Sequence, residues 1–242
     1  MALKVFGTDP ETQPRPRQSF ADDIVGRFHA GYVLNGRPAT VDEWRVTTGD
    51  PDVAARIHEL LGGDAPQKWE TKSEHDIEIF TASPSIDIII ESTRSLRQRM
   101  VFWSRANKLV YATDGEWKLD DSGNPTDEPD PDASLPFAER KQKGRDGLGP
   151  VPDTELYFRL AADPELGIFK FQSGGWSLVS DIAYNGTEDA LADAIADSEE
   201  GKATATLKLE PVSFVAKNGP RAGQTVNYTK SVIGDVAPKV AA

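Results

Sequence analysis

The sequence predicts an α+β fold with antiparallel β-hairpins and sheets, a few packed helices and a long proline- and aspartate-rich loop. Most segments that alternate apolar and polar residues are separated by turn residues rather than by helices, which is typical of antiparallel pairing. Apolar patterns with a helical period are few and are not interleaved regularly with the strands. A doubly wound parallel sheet is therefore disfavoured. The 242 residues are enough for one large core or two modest ones.

The first elements follow an extended arm that we predict for residues 1–19, where three prolines accompany few apolar side chains. Residues 28–34 are rich in aromatic and aliphatic side chains, and residues 44–46 offer a second strand. Asn35 and Gly36 form a strong turn signal between them. These features together predict a β-hairpin.

A helix and two strands are predicted next. Asp50 is a typical N-cap, Pro51 suits the first helical position, and Gly62 with Gly63 ends the helix. Residues 76–80 alternate in polarity, whereas residues 86–91 form a nearly continuous apolar run. We therefore expect the second of these two strands to be the more buried.

A second amphipathic helix is predicted to begin at Ser92 or Thr93. Leu96, Met100 and Trp103 recur at i, i+4 and i+7, as on one face of a helix. The remaining surface of this helix would be basic, because it carries Arg94, Arg97, Arg99 and Arg105. A hairpin then follows, with strands at residues 109–111 and near Trp117 and a turn near Asp114 and Gly115.

Residues 119–153 differ in composition from the rest of the chain. They contain six prolines, an acidic first half and a basic second half, with almost no apolar periodicity. Such a composition is typical of a solvated linker or long loop, and within it we predict residues 123–150 to be the most mobile internal stretch.

The C-terminal third predicts strands at residues 155–161 and 168–172, and then at 204–217 and 225–231. A helical region between residues 176 and 199 is interrupted near Asn185 and Gly186, with Thr187 as a cap for its second part. The predicted organisation is an arm (1–19), an N-terminal α+β domain (20–118), a linker or loop (119–153), a C-terminal α+β region (154–234) and a tail (235–242).

The net charge of the chain indicates which class of macromolecule it can bind. Thirty-nine acidic and 27 basic residues give a net charge of −12, which repels the phosphates of DNA and favours a basic protein partner. Cysteine is absent, and no apolar run is long enough for a signal peptide or for a membrane span. We therefore expect a cytoplasmic protein without a membrane partner.

No catalytic chemistry is predicted. The three histidines, His29, His58 and His75, fall in different predicted elements, and no phosphate-binding glycine motif or nucleophile elbow is present. We therefore expect no enzyme activity and no cofactor, and we assign no catalytic, cofactor-binding or metal-binding residue.

A pattern of aromatic, glycine and proline positions carries a family resemblance. It lies in the opening MALKVFGTDPE, in FADDIVGRFHAGYVLNGRPATVDEWRVTTGD (residues 20–50), in PDTELYFRLAADPELGIFKFQSGGW (152–176) and in residues 203–230. The chain resembles the phage recombination directionality factors of large serine integrases, of the type found in temperate phages of Streptomyces and related actinobacteria.

The resemblance implies a function through binding. It implies a phage- or prophage-encoded protein of the bacterial host cell that binds its cognate serine integrase, through the integrase's C-terminal zinc-ribbon and coiled-coil region. We expect the protein to be monomeric alone, because its sequence has no coiled-coil heptad and no cysteine or histidine set that requires a partner or a metal. Binding would switch the integrase from attP with attB integration to attL with attR excision. DNA would be contacted only indirectly, through the integrase.

Candidate partner-binding residues come from the basic stretch and its aromatic neighbours, because exposed aromatics and arginines are frequent hot spots of interfaces. They are Arg94, Arg97, Trp103, Tyr111 and Trp117. The same stretch could instead bind single-stranded DNA in a phage early or replication-accessory protein, or it could be an ordinary packed helix with Trp103 in the core. A structural phage protein, which would form oligomers, is a third alternative.

Overall fold

The computed structural model describes residues 24–34, 37–217 and 222–240. Thirteen strands and four α-helices within these ranges confirm the predicted α+β class. The predicted arm at residues 1–19, the turn at Asn35 and Gly36 and the last two residues lie outside the described residues.

The elements occur in the following order along the chain: β1 Ile24–Leu34, β2 Arg37–Thr48, α1 Pro51–Leu61, β3 Gln67–Lys68, β4 Ile77–Phe80, β5 Ser85–Ile90, β6 Leu96–Trp103, β7 Leu109–Thr113, β8 Trp117–Leu119, β9 Pro125–Pro129, α2 Phe137–Arg145, β10 Val151–Leu160, β11 Ile168–Ser173, α3 Trp176–Asn185, α4 Thr187–Asp197, β12 Ala203–Val215 and β13 Thr225–Pro238. The predicted N-terminal hairpin strands thus correspond to β1 and β2, and the last two predicted strands correspond to β12 and β13. Strand β13 extends into the predicted tail.

The main sheet has the strand order β3-β4-β2-β1-β11-β10-β6-β7-β8-β9. Its described pairs are antiparallel except for β1 with β11. The end of β10 also pairs with β5, which joins β12 and β13 in a second antiparallel ladder. Because β1 and β11 come from opposite sides of residues 119–153, strands of both predicted domains share one sheet. The division into domains itself stays a prediction.

An apolar cluster lies between the main sheet, the second ladder and the helices. Phe28 is at its centre, with ring centroids of Phe158 and Phe169 at 5.4 and 5.5 Å. Trp44 is fully buried, and its indole N–H donates to the carbonyl of Pro84 at 3.0 Å. Burial of such large aromatic side chains is the main stabilising contribution of this core.

Helix α1 forms where the sequence predicts it. The Asp50 carboxylate accepts the backbone N–H groups of Asp52 at 2.8 Å and Val53 at 3.4 Å, which satisfies two donors at the helix start. Gly62 ends the helix with a φ of 64°, a conformation that favours glycine. Local sequence is sufficient here, because the cap, the proline and the glycine all lie within one short segment.

The helix predicted from Ser92 or Thr93 is wrong, because the segment forms a short 3-10 turn at Thr93–Ser95 and then strand β6. Residues 96–101 pair with β10. Leu96 fits a strand equally well, since alternation places it on the core side and Arg97 on the other. Pairing with a strand some 55 residues away therefore overrides the local helical pattern.

The proline- and aspartate-rich segment is more ordered than a solvated linker. It contains β9 and α2, and within it Asp130 and Asp132 are buried. Asp130 accepts a hydrogen bond from the Thr113 hydroxyl. Asp132 forms an ion pair with the Lys143 ammonium group, which links the acidic half of the segment to its basic half.

In the C-terminal third, Thr187 is the first residue of α4 rather than its cap. Gly186, with a φ of 62°, takes the cap position.

Candidate protein-binding surface

The five candidate residues occupy the 3-10 turn and three adjacent strands of the main sheet, but they do not form one cluster. Arg94 and Arg97 lie at the start of β6, and Trp103 lies at its end. Trp103 lies six residues after Arg97 along the extended strand, which corresponds to about 20 Å. Tyr111 is in the middle of β7, and Trp117 begins β8.

An exposed apolar patch is located where β6 and β7 join. Trp103 is directly opposite Leu109, and the register shifts beside this pair so that Val110 is an extra residue in β7. The exposed fractions are 47% for Trp103, 47% for Leu109 and 52% for Val110. We name these three residues the hairpin-end patch. Three neighbouring large apolar side chains at this exposure mark a surface suited to a protein partner.

The sequence predicts that Leu109 and Val110 lie in a strand, but it does not indicate them as candidate partner-binding residues. Their apolar character alone does not distinguish a buried strand from an exposed one, because both read as a short apolar run. The bulge at Val110 disrupts the regular alternation of β7. No local sequence signal predicts that bulge.

Tyr111 and Trp117 have different environments from Trp103. Tyr111 is half-buried, with the Phe102 ring at 5.7 Å and the Lys118 ammonium group 5.7 Å from its own ring. Burial, and secondarily the carboxylates of Asp130 and Asp132, raises the pKa of Tyr111 to about 12. Its contacts with Phe102 and Lys118 make it a packed side chain of the sheet surface. Trp117 is 42% exposed, but it lies at the opposite end of β7 from the hairpin-end patch.

The two arginines at the start of β6 border a network of paired charges on the outer face of the sheet. Asp153 accepts from Arg99 at 2.9 Å and from the Gln172 amide at 2.6 Å. Glu155 accepts from Lys170 at 2.5 Å, and the Arg97 guanidinium lies 5.1 Å from the Tyr157 ring centroid. Because carboxylates are interleaved with these cations, the face is not a uniformly basic surface of the kind that tracks a phosphate backbone.

His29 lies on the same outer face, and its protonation makes the stability of the fold depend on pH. Its Nε2 atom lies 2.8 Å from the Thr47 hydroxyl. Burial, followed by the positive charges of Arg45 and Arg27 and by His75, lowers the pKa of His29 from 6.5 to about 4. The imidazole is therefore neutral at physiological pH.

Acidification should destabilise the protein through His29. Between the unfolded pKa of 6.5 and the folded value of about 4, the unfolded chain binds a proton that the folded protein does not. The free energy of unfolding should thus fall with pH in this window by about 2 kcal/mol, after allowance for the partial exposure of the ring.

Urea denaturation of the wild type and of His29→Gln at roughly pH 7 and roughly pH 4.5 tests this expectation. The glutamine variant should lose less stability between the two pH values. Equal losses in the two proteins would show that His29 is not responsible.

Within residues 24–34, 37–217 and 222–240, no group of three or more histidine and acidic side chains is arranged to hold a metal ion. In the same ranges, no helix has both the length and the apolar character needed to cross a bilayer.

A family model described as Gp3-like, recombination directionality factor-like, matches residues 25–232. No solved structure matches the chain.

Proposed function

Because this chain belongs to the Gp3-like, recombination directionality factor-like family, we propose that it binds a serine integrase and switches it from attP with attB joining to attL with attR joining. The family match over residues 25–232 is the observation that carries this proposal. The protein acts as a regulator without catalytic chemistry of its own, and the integrase performs every strand exchange.

The switch operates through a difference in affinity. A regulator that binds two integrase arrangements equally well shifts nothing, however tightly it binds. This protein must therefore bind more tightly to the arrangement that permits the attL–attR synapse. Linkage then requires the same binding event to disfavour the attP–attB synapse.

The hairpin-end patch supports binding of a protein partner. It combines an exposed tryptophan with two exposed aliphatic side chains on a chain whose net charge is −12. An apolar centre within an acidic protein suits a basic, DNA-binding partner, because complementary charge raises the association rate while the apolar contact supplies affinity. We propose that the patch contacts the C-terminal zinc-ribbon and coiled-coil region of the integrase, and that the factor is monomeric alone in the host cytoplasm.

Recombination assays on two substrate pairs test the function. Added to the cognate integrase, the protein should raise attL–attR recombination and lower attP–attB recombination, each by about 5- to 150-fold, the usual range of allosteric coupling. Unchanged rates for both pairs would contradict the proposal.

A single-stranded DNA titration serves as the control for the alternative function. The protein should bind a short oligonucleotide weakly, because its net charge is −12 and the cations at the start of β6 lie among carboxylates. Tight, salt-sensitive binding together with unchanged directionality would instead favour a replication role.

A further inference from the structure

Helix α2 has little apolar surface with which to pack against the rest of the protein. Its nine residues include a single large apolar side chain, Phe137, which is exposed and contacts the Trp176 ring edge-on at a centroid distance of 5.5 Å. A helix of this length is marginal in water by itself, and helices in proteins owe most of their stability to burial of an apolar face. Other interactions must therefore hold α2 in place.

Two buried carboxylates that precede the helix provide such interactions. Asp132 forms an ion pair with the Lys143 ammonium group. The Asp130 carboxylate lies 3.8 Å from the guanidinium of Arg140, which also donates to the Gly115 carbonyl oxygen at 2.7 Å. Removal of one partner from a buried ion pair is costly, because the other charge is left uncompensated. The docking of α2 therefore depends mainly on charge.

We name residues 130–149 the strap, since they run from the first of these carboxylates past the end of α2. The strap lies close to the starts of β10 and α3. A Cβ atom on Gly144 would lie 2.8 Å from the Pro150 carbonyl oxygen and 3.2 Å from the Trp176 ring. Both distances are shorter than an ordinary van der Waals contact. The docked strap is thus fitted to the body of the protein, although it buries little apolar surface of its own.

The docked strap covers one face of β7. The Thr113 hydroxyl donates to Asp130 at 3.1 Å, and Tyr111 lies on the same face of the strand as Thr113 because it is two residues away. Burial is the main cause of the raised pKa of Tyr111, and the negative charges of Asp130 and Asp132 add to it. The strap is therefore close to the phenol and helps to shield it from solvent.

We propose that the strap is a conformational device that opens as a unit while the core stays folded, and that its opening exposes Tyr111 and Trp176. Opening breaks the two charge contacts and the edge contact of Phe137. Separation of β10 from β11 would instead disrupt the aromatic core around Phe158 and Phe169. Segments that bury little apolar surface open at the low end of the free-energy range of local unfolding.

The strap sets a cost on any contact through Tyr111, one of the candidate partner-binding residues. For a partner that binds Tyr111 only in the open state, the apparent affinity is reduced by the fraction of open molecules. A substitution that favours the open state should then strengthen that contact. The inference goes beyond the proposed function, because it concerns this chain alone and does not depend on the identity of the partner.

Native-state hydrogen exchange of the wild-type protein tests the opening directly. The amides of α2 should share one opening free energy and exchange at least about tenfold faster than those of β10 and β11, after correction for intrinsic rates. Their exchange should also depend less on urea, because opening of the strap exposes less surface than global unfolding does. Exchange of α2 with the rate and urea dependence of β10 and β11 would overturn the proposal, since strap and core would then unfold together.

Nitration of tyrosines, measured by mass spectrometry of peptides, locates the face that opening exposes. Lys143→Gln removes one ion pair of the strap, whereas Arg145→Gln removes a charge that belongs to neither ion pair of α2 with the described residues. We expect Lys143→Gln to raise the nitration of Tyr111 at least about threefold relative to the exposed Tyr184. Arg145→Gln should leave it unchanged, and the buried Tyr157 should stay unreactive in both variants. Unchanged nitration of Tyr111 in Lys143→Gln, an equal rise in Arg145→Gln or a joint rise at Tyr157 would each overturn the proposal.

Discussion

Replacement of Trp103 by alanine is expected to weaken integrase binding by about 30-fold or more, the loss typical of an interface hot spot of at least 2 kcal/mol. Trp103 is the largest member of the hairpin-end patch, and 47% of it is exposed in the absence of a partner. Because Leu109 is directly opposite it, truncation removes both the indole and part of the surface that supports the contact. The stability of the free protein should change little, since an exposed side chain contributes little burial.

Binding of labelled integrase to the variant, followed by the attL–attR assay, measures the effect. Tyr184→Ala is the matched control, because Tyr184 is an aromatic residue of α3 that is 91% exposed and lies outside the patch. The control should bind as the wild type does. Equal affinity of Trp103→Ala and the wild type would remove the hairpin-end patch from the interface.

Replacement of Asp130 by alanine is expected to destabilise the fold by about 2 to 4 kcal/mol, because it leaves buried polar partners without an acceptor. The Asp130 side chain is fully buried. It accepts the Thr113 hydroxyl at 3.1 Å and the Asp132 amide at 2.9 Å, with the Arg140 guanidinium at 3.8 Å. These contacts attach the proline- and aspartate-rich segment to β7, so their loss should also loosen that segment.

Chemical denaturation of Asp130→Ala gives the change in the free energy of unfolding. Asp127→Ala is the control in the same segment, since Asp127 is an exposed residue of β9 and its loss should cost less than about 0.5 kcal/mol. A comparable, small effect of both substitutions would mean that the segment behaves as the solvated linker that its composition predicts.

Much of the fold could be predicted from the sequence because its signals are local. Helix α1 needs only the Asp50 cap, Pro51 and the terminal glycines, all within a few residues of one another. The β7–β8 turn likewise follows from Asp114, whose carboxylate accepts the N–H groups of Glu116 and Trp117, each at 2.8 Å. The recurring aromatic, glycine and proline positions also sufficed to place the chain in its family.

The candidate surface depended on contacts that no local pattern encodes. Leu96, Met100 and Trp103 fit one face of a helix, yet β10 supplies hydrogen bonds that make the segment a strand and bring Trp103 to the surface. Asp130 lies in an acidic run whose composition is typical of a solvated loop, but its contacts with Thr113 and Arg140 make burial of its side chain favourable. The sequence alone therefore determined fold class, family and the locally capped elements. Tertiary structure decided burial and exposure, because these depend on partners distant in the chain.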